Sequence, residues 1–296
     1  MPTGPNSLLR RSLVPVAAIA MIVFQMVPSS ATGIGTLTYP AKDKAVPNAE
    51  PGVTSSTVNC PSDHPLVTGG GAEITGDEST LDLEIGTTLP TGGLKGWKVT
   101  ANNSSASAAS MHVTAICARS HVTFRGSQKV VLKGRQGSLK VACPTGTALI
   151  GGGVGIAGGN HKQEVASSAP FDGKDADHKT DDGWAGRANN GLNKKVTMTV
   201  AAVCARSGSF SYVHSAPASV ADNTQLAASV NCPSGTTVTG GGVSSTGSSL
   251  GVEVGDSFPI DGADADTTPD DGWQATANND STGRSQTMQV FAICKA

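Results

Sequence analysis

Aromatic side chains are scarce in this 296-residue chain, at 4% of residues, and charged side chains reach only 15%. Leucine is sparse as well, which disfavours helix bundles and suits short strands joined by tight turns. There is no basic excess: 21 Lys and Arg stand against 23 Asp and Glu, a formal net charge of −2. A footprint for nucleic acid or anionic lipid is therefore missing. No two cysteines lie close together and no histidine recurs beside one, so zinc-binding spacings are excluded. Only one apolar run is long, Leu13 to Phe24, and it is too short for a membrane span.

What is present begins with that run. Arg10 and Arg11 precede it and Ser29-Ser30-Ala31 follow it, the layout of a secretory signal peptide over residues 1–31. The expectation is a freely secreted, extracellular chain starting near Thr32. Beyond it, one passage is written three times: "CPSDHPLVTGGGA" from Cys60, "CPTGTALIGGGV" from Cys143 and "CPSGTTVTGGGV" from Cys232. Each copy continues through a strand, a variable loop, Gly-Trp, Asn-Asn and a closing strand. Those closing strands read Met111-Val113-Ala115-Cys117, Met198-Val200-Ala202-Cys204 and Met288-Val290-Ala292-Cys294 at period two, so one face with its cysteine points into a core.

The template tiles the chain as β repeats over 32–119, 120–206 and 207–296, and the fold class read from it is all-β. Two layouts fit: three tandem disulfide-closed β-sandwich-like repeats, or one body with the repeats about a pseudo-threefold axis. A self-contained disulfide in each repeat favours the tandem layout. Two cysteines occupy the same template positions in every repeat, which pairs Cys60 with Cys117, Cys143 with Cys204 and Cys232 with Cys294. Each bridge closes a loop of about 60 residues, for which chain entropy gives roughly 4 kcal/mol.

Trp97, Trp184 and Trp273 occur once per repeat and are read as core residues near the disulfide, in preference to exposed platforms for sugar rings. The three consecutive glycines do not fit a phosphate loop, since neither a helix start nor a lysine follows them. A steric reason is expected instead: a bulge, with the tryptophan or disulfide lying over a glycine strip. The Asn-Asn pairs at Asn102, Asn189 and Asn278 are read as turns with positive φ. The ordered words C-P-x-G-T-x-x-x-G-G-G, G-W, N-N and V-x-A-x-C resemble a repeat module of secreted proteins of high-GC Gram-positive bacteria. That resemblance implies an exported, disulfide-closed β module without catalytic residues to carry over.

Two passages carry chemistry of their own. Gly255-Asp256-Ser257-Phe258 is similar to the nucleophile word of GDSL-type hydrolases, yet no histidine follows Ser257 to serve as base. The loops before Trp184 and Trp273 place Asp172, Asp175, Asp177, Asp181 and Asp182 in register with Asp261, Asp264, Asp266, Asp270 and Asp271. Hard oxygen ligands on a glycine-containing loop suit Ca²⁺, and a solvated acidic surface is the alternative. The function expected from the whole is non-catalytic binding at a surface or cell wall, carbohydrate being the first ligand considered. Self-association into a matrix is the alternative, and a secreted enzyme or inhibitor is a weaker one. If the acidic loops hold calcium, Asp177→Asn lowers a calcium-dependent melting temperature; identical melts with calcium and with chelator exclude the ion.

Overall fold

Runs of β-branched and small residues bounded by Gly, Pro and Asn make strands throughout this chain. The structure is a computed structural model that describes residues 33–48, 53–76, 81–157, 160–173, 177–247, 250–262, 264–281 and 283–296. The signal-peptide segment and Asp175 lie outside the described residues. Repeat 1 forms β1 (Leu37–Thr38), β2 (Ala41–Val46), β3 (Val53–Asn59), β4 (Leu66–Thr75), β5 (Leu83–Pro90), β6 (Gly96–Asn103) and β7 (Ala109–Ala118). Repeat 2 forms β8 (Val122–Val131), β9 (Arg135–Ala142), β10 (Ala148–Ile156), β11 (Gln163–Phe171), β12 (Gly183–Asn190) and β13 (Val196–Ala205). Repeat 3 forms β14 (Phe210–His214), β15 (Ala218–Val220), β16 (Thr224–Asn231), β17 (Thr237–Ser245), β18 (Val252–Ile260), β19 (Gly272–Asn279) and β20 (Gln286–Lys295). A 3₁₀ turn at Gly92–Leu94 interrupts the strands.

Each repeat is sandwich-like, with two antiparallel layers joined by its own disulfide. The bridges are those expected: Cys60–Cys117, Cys143–Cys204 and Cys232–Cys294. The layers do not stop at the repeat boundary, however. The sheet orders are β1-β7-β4-β18-β19-β16, β3-β6-β5-β10-β13-β8 and β14-β20-β17-β11-β12-β9. Every sheet is thus half one repeat and half another, and the three junctions close a ring. Residues 31–296 accordingly form one compact unit, so the sandwich-like repeats are fused about a pseudo-threefold axis and do not stand as separate beads. The joining pairs are few: Val154 with Thr88 and Gly155 with Thr87, Ser168 with Val243, and Ser257 with Ala72.

The triple glycines lie at this axis, and each of the three has its own neighbour. A Cβ on the first glycine would meet backbone of the adjacent repeat: Gly69 against Gly240, Gly240 against Gly151, and Gly151 against Thr68 and Gly69. A Cβ on the second would enter the tryptophan of its own repeat, 2.6 Å from Trp97 at Gly70 and 2.3 Å from Trp184 and Trp273 at Gly152 and Gly241. A Cβ on the third would strike a carbonyl across the sheet junction, of Ser257 at Gly71, Thr88 at Gly153 and Ser168 at Gly242. The tryptophan contact matches the sequence expectation. The contacts of the first and third glycines with neighbouring repeats are visible only in the fold. A register shift beside each triplet, between Val67 and Gly69, Leu149 and Gly151, and Val238 and Gly240, is the expected bulge.

Trp97, Trp184 and Trp273 are buried, as read from the sequence. The closing strands alternate only at first. Met111 and Val113 are buried with His112 exposed between them, but both faces of Ala115–Ala118 are buried, because the ring of repeats covers what a single sandwich would leave in water. Gly153→Ala puts a methyl 2.1 Å from the Thr88 carbonyl, between two backbones that cannot part without opening a junction. It is expected to cost about 3 kcal/mol, read as a lowered midpoint in thermal denaturation. Gly92→Ala, with nothing within 4 Å, is expected to stay within about 0.5 kcal/mol; equal melts for the two variants would contradict the axial packing.

Candidate functional site

The aspartate loops and the tryptophans, singled out in the sequence, do not line the opening that draws on all three repeats. That opening is a cavity of about 830 Å³ with walls from all three repeats. Repeat 1 supplies Leu81, Asp82, Glu84 and Ser104; repeat 2 His161, Lys162, Glu164 and Gly191; repeat 3 Asn223, Thr224, Gln225, Leu250, Glu253 and Asp280. Its wall includes three equivalent glutamates, one from each repeat. Glu84, Glu164 and Glu253 are each the second residue of β5, β11 and β18, the strands that lie at the sheet junctions. The ring closure therefore gathers them.

The Asn-Asn pairs hold this end together, by a means other than the expected positive-φ turn. All six residues are buried within strands, and their side chains act as clamps. The first asparagine of each pair reaches the next repeat: Asn102 Nδ2 donates to Gln163 O at 3.2 Å, Asn189 Nδ2 to Val252 O at 3.1 Å, and Asn278 Nδ2 to Leu83 O at 3.1 Å. In each case the acceptor is the carbonyl just before the glutamate. The second asparagine ties its own hairpin, as when Asn279 Nδ2 donates to Val220 O and Arg284 O. The glutamates are thus fixed from both sides by the backbone network.

Their electrostatics is unfavourable to charge. Burial, followed by the nearby charges of Glu164, Asp82 and Asp280, pushes the Glu84 carboxyl well above the carboxylate range. Burial and then Asp280 push Glu164 up to about 8. Burial, Asp280, Glu164 and Glu84 push Glu253 up to about 10, partly opposed by a hydrogen bond from Asn189. Glu84 is only 7% exposed, and its Oε2 has no hydrogen-bond partner. A buried oxygen without a partner, on a residue that lines a cavity, calls for an explanation beyond folding.

The aspartate loops leave the far ends of the same strands. Asp172 lies eight positions beyond Glu164, and Asp261 eight beyond Glu253, about 25 Å along a strand. In repeat 3 the loop does bring acids together: carboxylate oxygens of Asp261, Asp264 and Asp271, and of Asp264, Asp266 and Asp270, gather within 4.8 Å. Much of their capacity serves the loop itself. Asp271 accepts from Gly262 N at 2.8 Å, Asp264 from Asp266 N at 3.0 Å and Asp266 from Thr268 N at 2.6 Å. In repeat 2, Lys179 pairs with Asp177 at 3.4 Å and His178 approaches Asp172 at 3.9 Å. Asp182 and Asp271 also have backbone roles, their carbonyls accepting from Cys143 N and Cys232 N; Asp181 lies beside Asp182 at the end of the loop.

Ser257 is spent on structure. Its Oγ accepts from Trp273 Nε1 at 2.8 Å, as Ser168 does from Trp184 and Thr88 from Trp97, both at 2.9 Å. The hydrolase-like word is a tryptophan anchor. The glutamates were legible at least as a repeated position, Leu83-Glu84-Ile85-Gly86, Gln163-Glu164-Val165-Ala166 and Val252-Glu253-Val254-Gly255. A glutamate at the second position of three equivalent strands is the signal that sequence reading missed.

The raised values of Glu164 and Glu253 make stability depend on pH. The folded state binds more protons than the unfolded one from about pH 4.5 upward, so stability is full below that value and is lost as pH rises through about 8 and about 10. The melting temperature should fall between pH 5 and pH 9. Glu164→Gln and Glu253→Gln should raise it more at pH 9 than at pH 5, and parallel curves for variants and parent would refute the assignment. No protein-family model matches the chain, and no curated protein matches it either.

Proposed function

We propose that this is a non-catalytic extracellular binding protein, with its ligand held in the axial cavity and drawn from carbohydrate or other cell-envelope material. The observation that carries the reading is the cavity itself: about 830 Å³, contributed to by every repeat and lined chiefly by polar and acidic side chains. A site of that size suits a small polar molecule or the end of a chain. Three disulfides point to an oxidising compartment, and among the described residues no helix is long and apolar enough to cross a membrane. With the tryptophans buried, sugar recognition here would rest on hydrogen bonds to hydroxyl and amine groups and not on aromatic stacking.

Self-association is favoured by one observation. The outer strands β1/β2 and β14/β15 are broken at Pro40 and Pro217, whereas β8 runs unbroken for ten residues at a sheet edge. Phe124 and Val130 on it, with Leu132 just beyond, are 49%, 56% and 53% exposed. Such an edge can pair with another. Arg125, Lys129 and Lys133 interleave with it, the charge that commonly guards an edge.

Binding is tested by retaining the purified protein on insoluble polysaccharides and cell-wall preparations. Thr224→Trp, which puts a bulky ring into the cavity from an exposed position on its wall, should sharply weaken retention of a protein that otherwise melts normally. Retention that survives the filled cavity would overturn the axial reading, and concentration-dependent sedimentation lost on Val130→Lys would support the edge-strand alternative.

A further inference from the structure

The cavity's acid content narrows what it can hold. Five acids line it, Asp82, Glu84, Glu164, Glu253 and Asp280, while its basic residues are His161 and the exposed Lys162. Asp222 adds a further negative charge near Asp280. Glu84 and Glu253 are buried, at 7% and 5% exposure, and Glu84 Oε2 is unpartnered. Burial and their mutual repulsion keep the three glutamates protonated while the cavity is empty. An anion would be repelled by the acidic wall, and a neutral polyol would leave the glutamates as they are; an arriving cation would let each of them ionise against it.

Geometry separates the kinds of cation. Among the described residues, the acids whose ligand oxygens gather within 4.8 Å of one another are those of the repeat 3 loop. The three glutamates are not among them, and the cavity they line, about 830 Å³, is larger than one ion with its coordination shell. Their threefold placement instead matches several separate positive charges on one flexible molecule. Resting on the binding reading above, we propose that the axial cavity is a site for an organic polyamine-type ligand, each glutamate receiving one ammonium group of a linear polyamine or an amino-sugar oligomer.

Binding is then coupled to protons. A glutamic acid that holds its proton in the empty cavity gives it up when an ammonium group arrives, so complex formation releases protons to the buffer. Affinity should rise from pH 6 to pH 8, as fewer protons need displacing, while alkylammonium groups of the lysine type remain charged. A neutral hydroxylated ligand has no such linkage.

The experiment is isothermal titration of the full protein at pH 7 with spermidine, with the glucosamine trimer and with its fully N-acetylated counterpart. It is run in two buffers of different ionisation enthalpy, so that proton release is read directly. One or both amines should bind, spermidine with proton release and the less basic glucosamine trimer with less, since its amines can take up the displaced protons, and whichever binds identifies the source of the ammonium groups. The acetylated trimer should not bind. Glu84→Gln and Glu164→Gln should each weaken binding about tenfold with melting temperatures no lower than the parent's. Failure of both amines, or amine binding without proton release and unchanged in both variants, overturns the proposal. Binding of the acetylated trimer alone, lost in Thr224→Trp, overturns the ammonium assignment and leaves the cavity as a polar binding site. Silence in every titration, together with polysaccharide retention that ignores Thr224→Trp, overturns both readings.

Discussion

The architecture depends on backbone meeting backbone at the axis, with no side chain between. A Cβ on Gly69, Gly151 or Gly240 would lie 2.2–2.7 Å from a carbonyl oxygen of the adjacent repeat, closer than real contacts allow. Glycine in a strand costs chain entropy, of order 0.5–1 kcal/mol relative to alanine, and nine are placed there. What offsets the cost is closure: with the central strands this near, three sandwich-like repeats share sheets, and the faces that each would expose become a common interior. Only this closure explains why Ala115–Ala118 are buried on both faces.

Hydrogen bonds across the axis follow from the same approach and show where the symmetry fails. Thr68 Oγ1 lies 2.8 Å from Thr239 O, and Thr239 Oγ1 lies 2.8 Å from Ile150 O. The tyrosine hydroxyls repeat the direction, Tyr39 to Val238 O and Tyr212 to Leu149 O, both at 2.9 Å. Repeat 2 has Ile150 and Phe124 at the corresponding positions, and neither side chain can donate. Its junction with repeat 1 is the one that pairs two residues across the sheet where the others pair one. Backbone pairing there takes over what the two missing hydroxyls would supply, and Phe124, without a polar partner to reach for, is left half exposed.

The parts legible in the sequence were those set within one repeat. Alternation at Met111 and Val113, the shared positions of Cys143 and Cys204, and one Trp for every Gly-Trp word suffice for strands, disulfides and a core tryptophan. Whatever depends on a neighbouring repeat was hidden. The expectation for Gly153 required the Thr88 carbonyl, 65 positions earlier; the role of Asn102 required Gln163. Self-contained disulfides made separate domains the favoured layout, because a covalent staple inside each repeat carries no information about sharing between repeats. The aspartates stood out for a related reason: acids crowded in sequence are conspicuous, whereas Glu84, Glu164 and Glu253 share one cavity only in the folded chain.

That contrast also decides which acids matter. An exposed aspartate in a loop costs almost nothing to keep, and repeat 1 dispenses with the whole set, having Pro90-Thr91-Gly92-Gly93-Leu94-Lys95 in place of the acidic loop. The glutamates are expensive: burial and mutual repulsion disfavour their charged forms, and a threonine or glutamine would fit the same strand position without that penalty. Yet repeat 1, which has shed the loop acids, retains Glu84. A group that destabilises the fold at neutral and higher pH, occurs in every copy and, at Glu84, leaves a buried oxygen unpartnered is not explained by folding. Under the binding proposal its explanation lies in what enters the cavity, and the physical property that the three positions share is a buried carboxyl that an arriving positive charge would ionise.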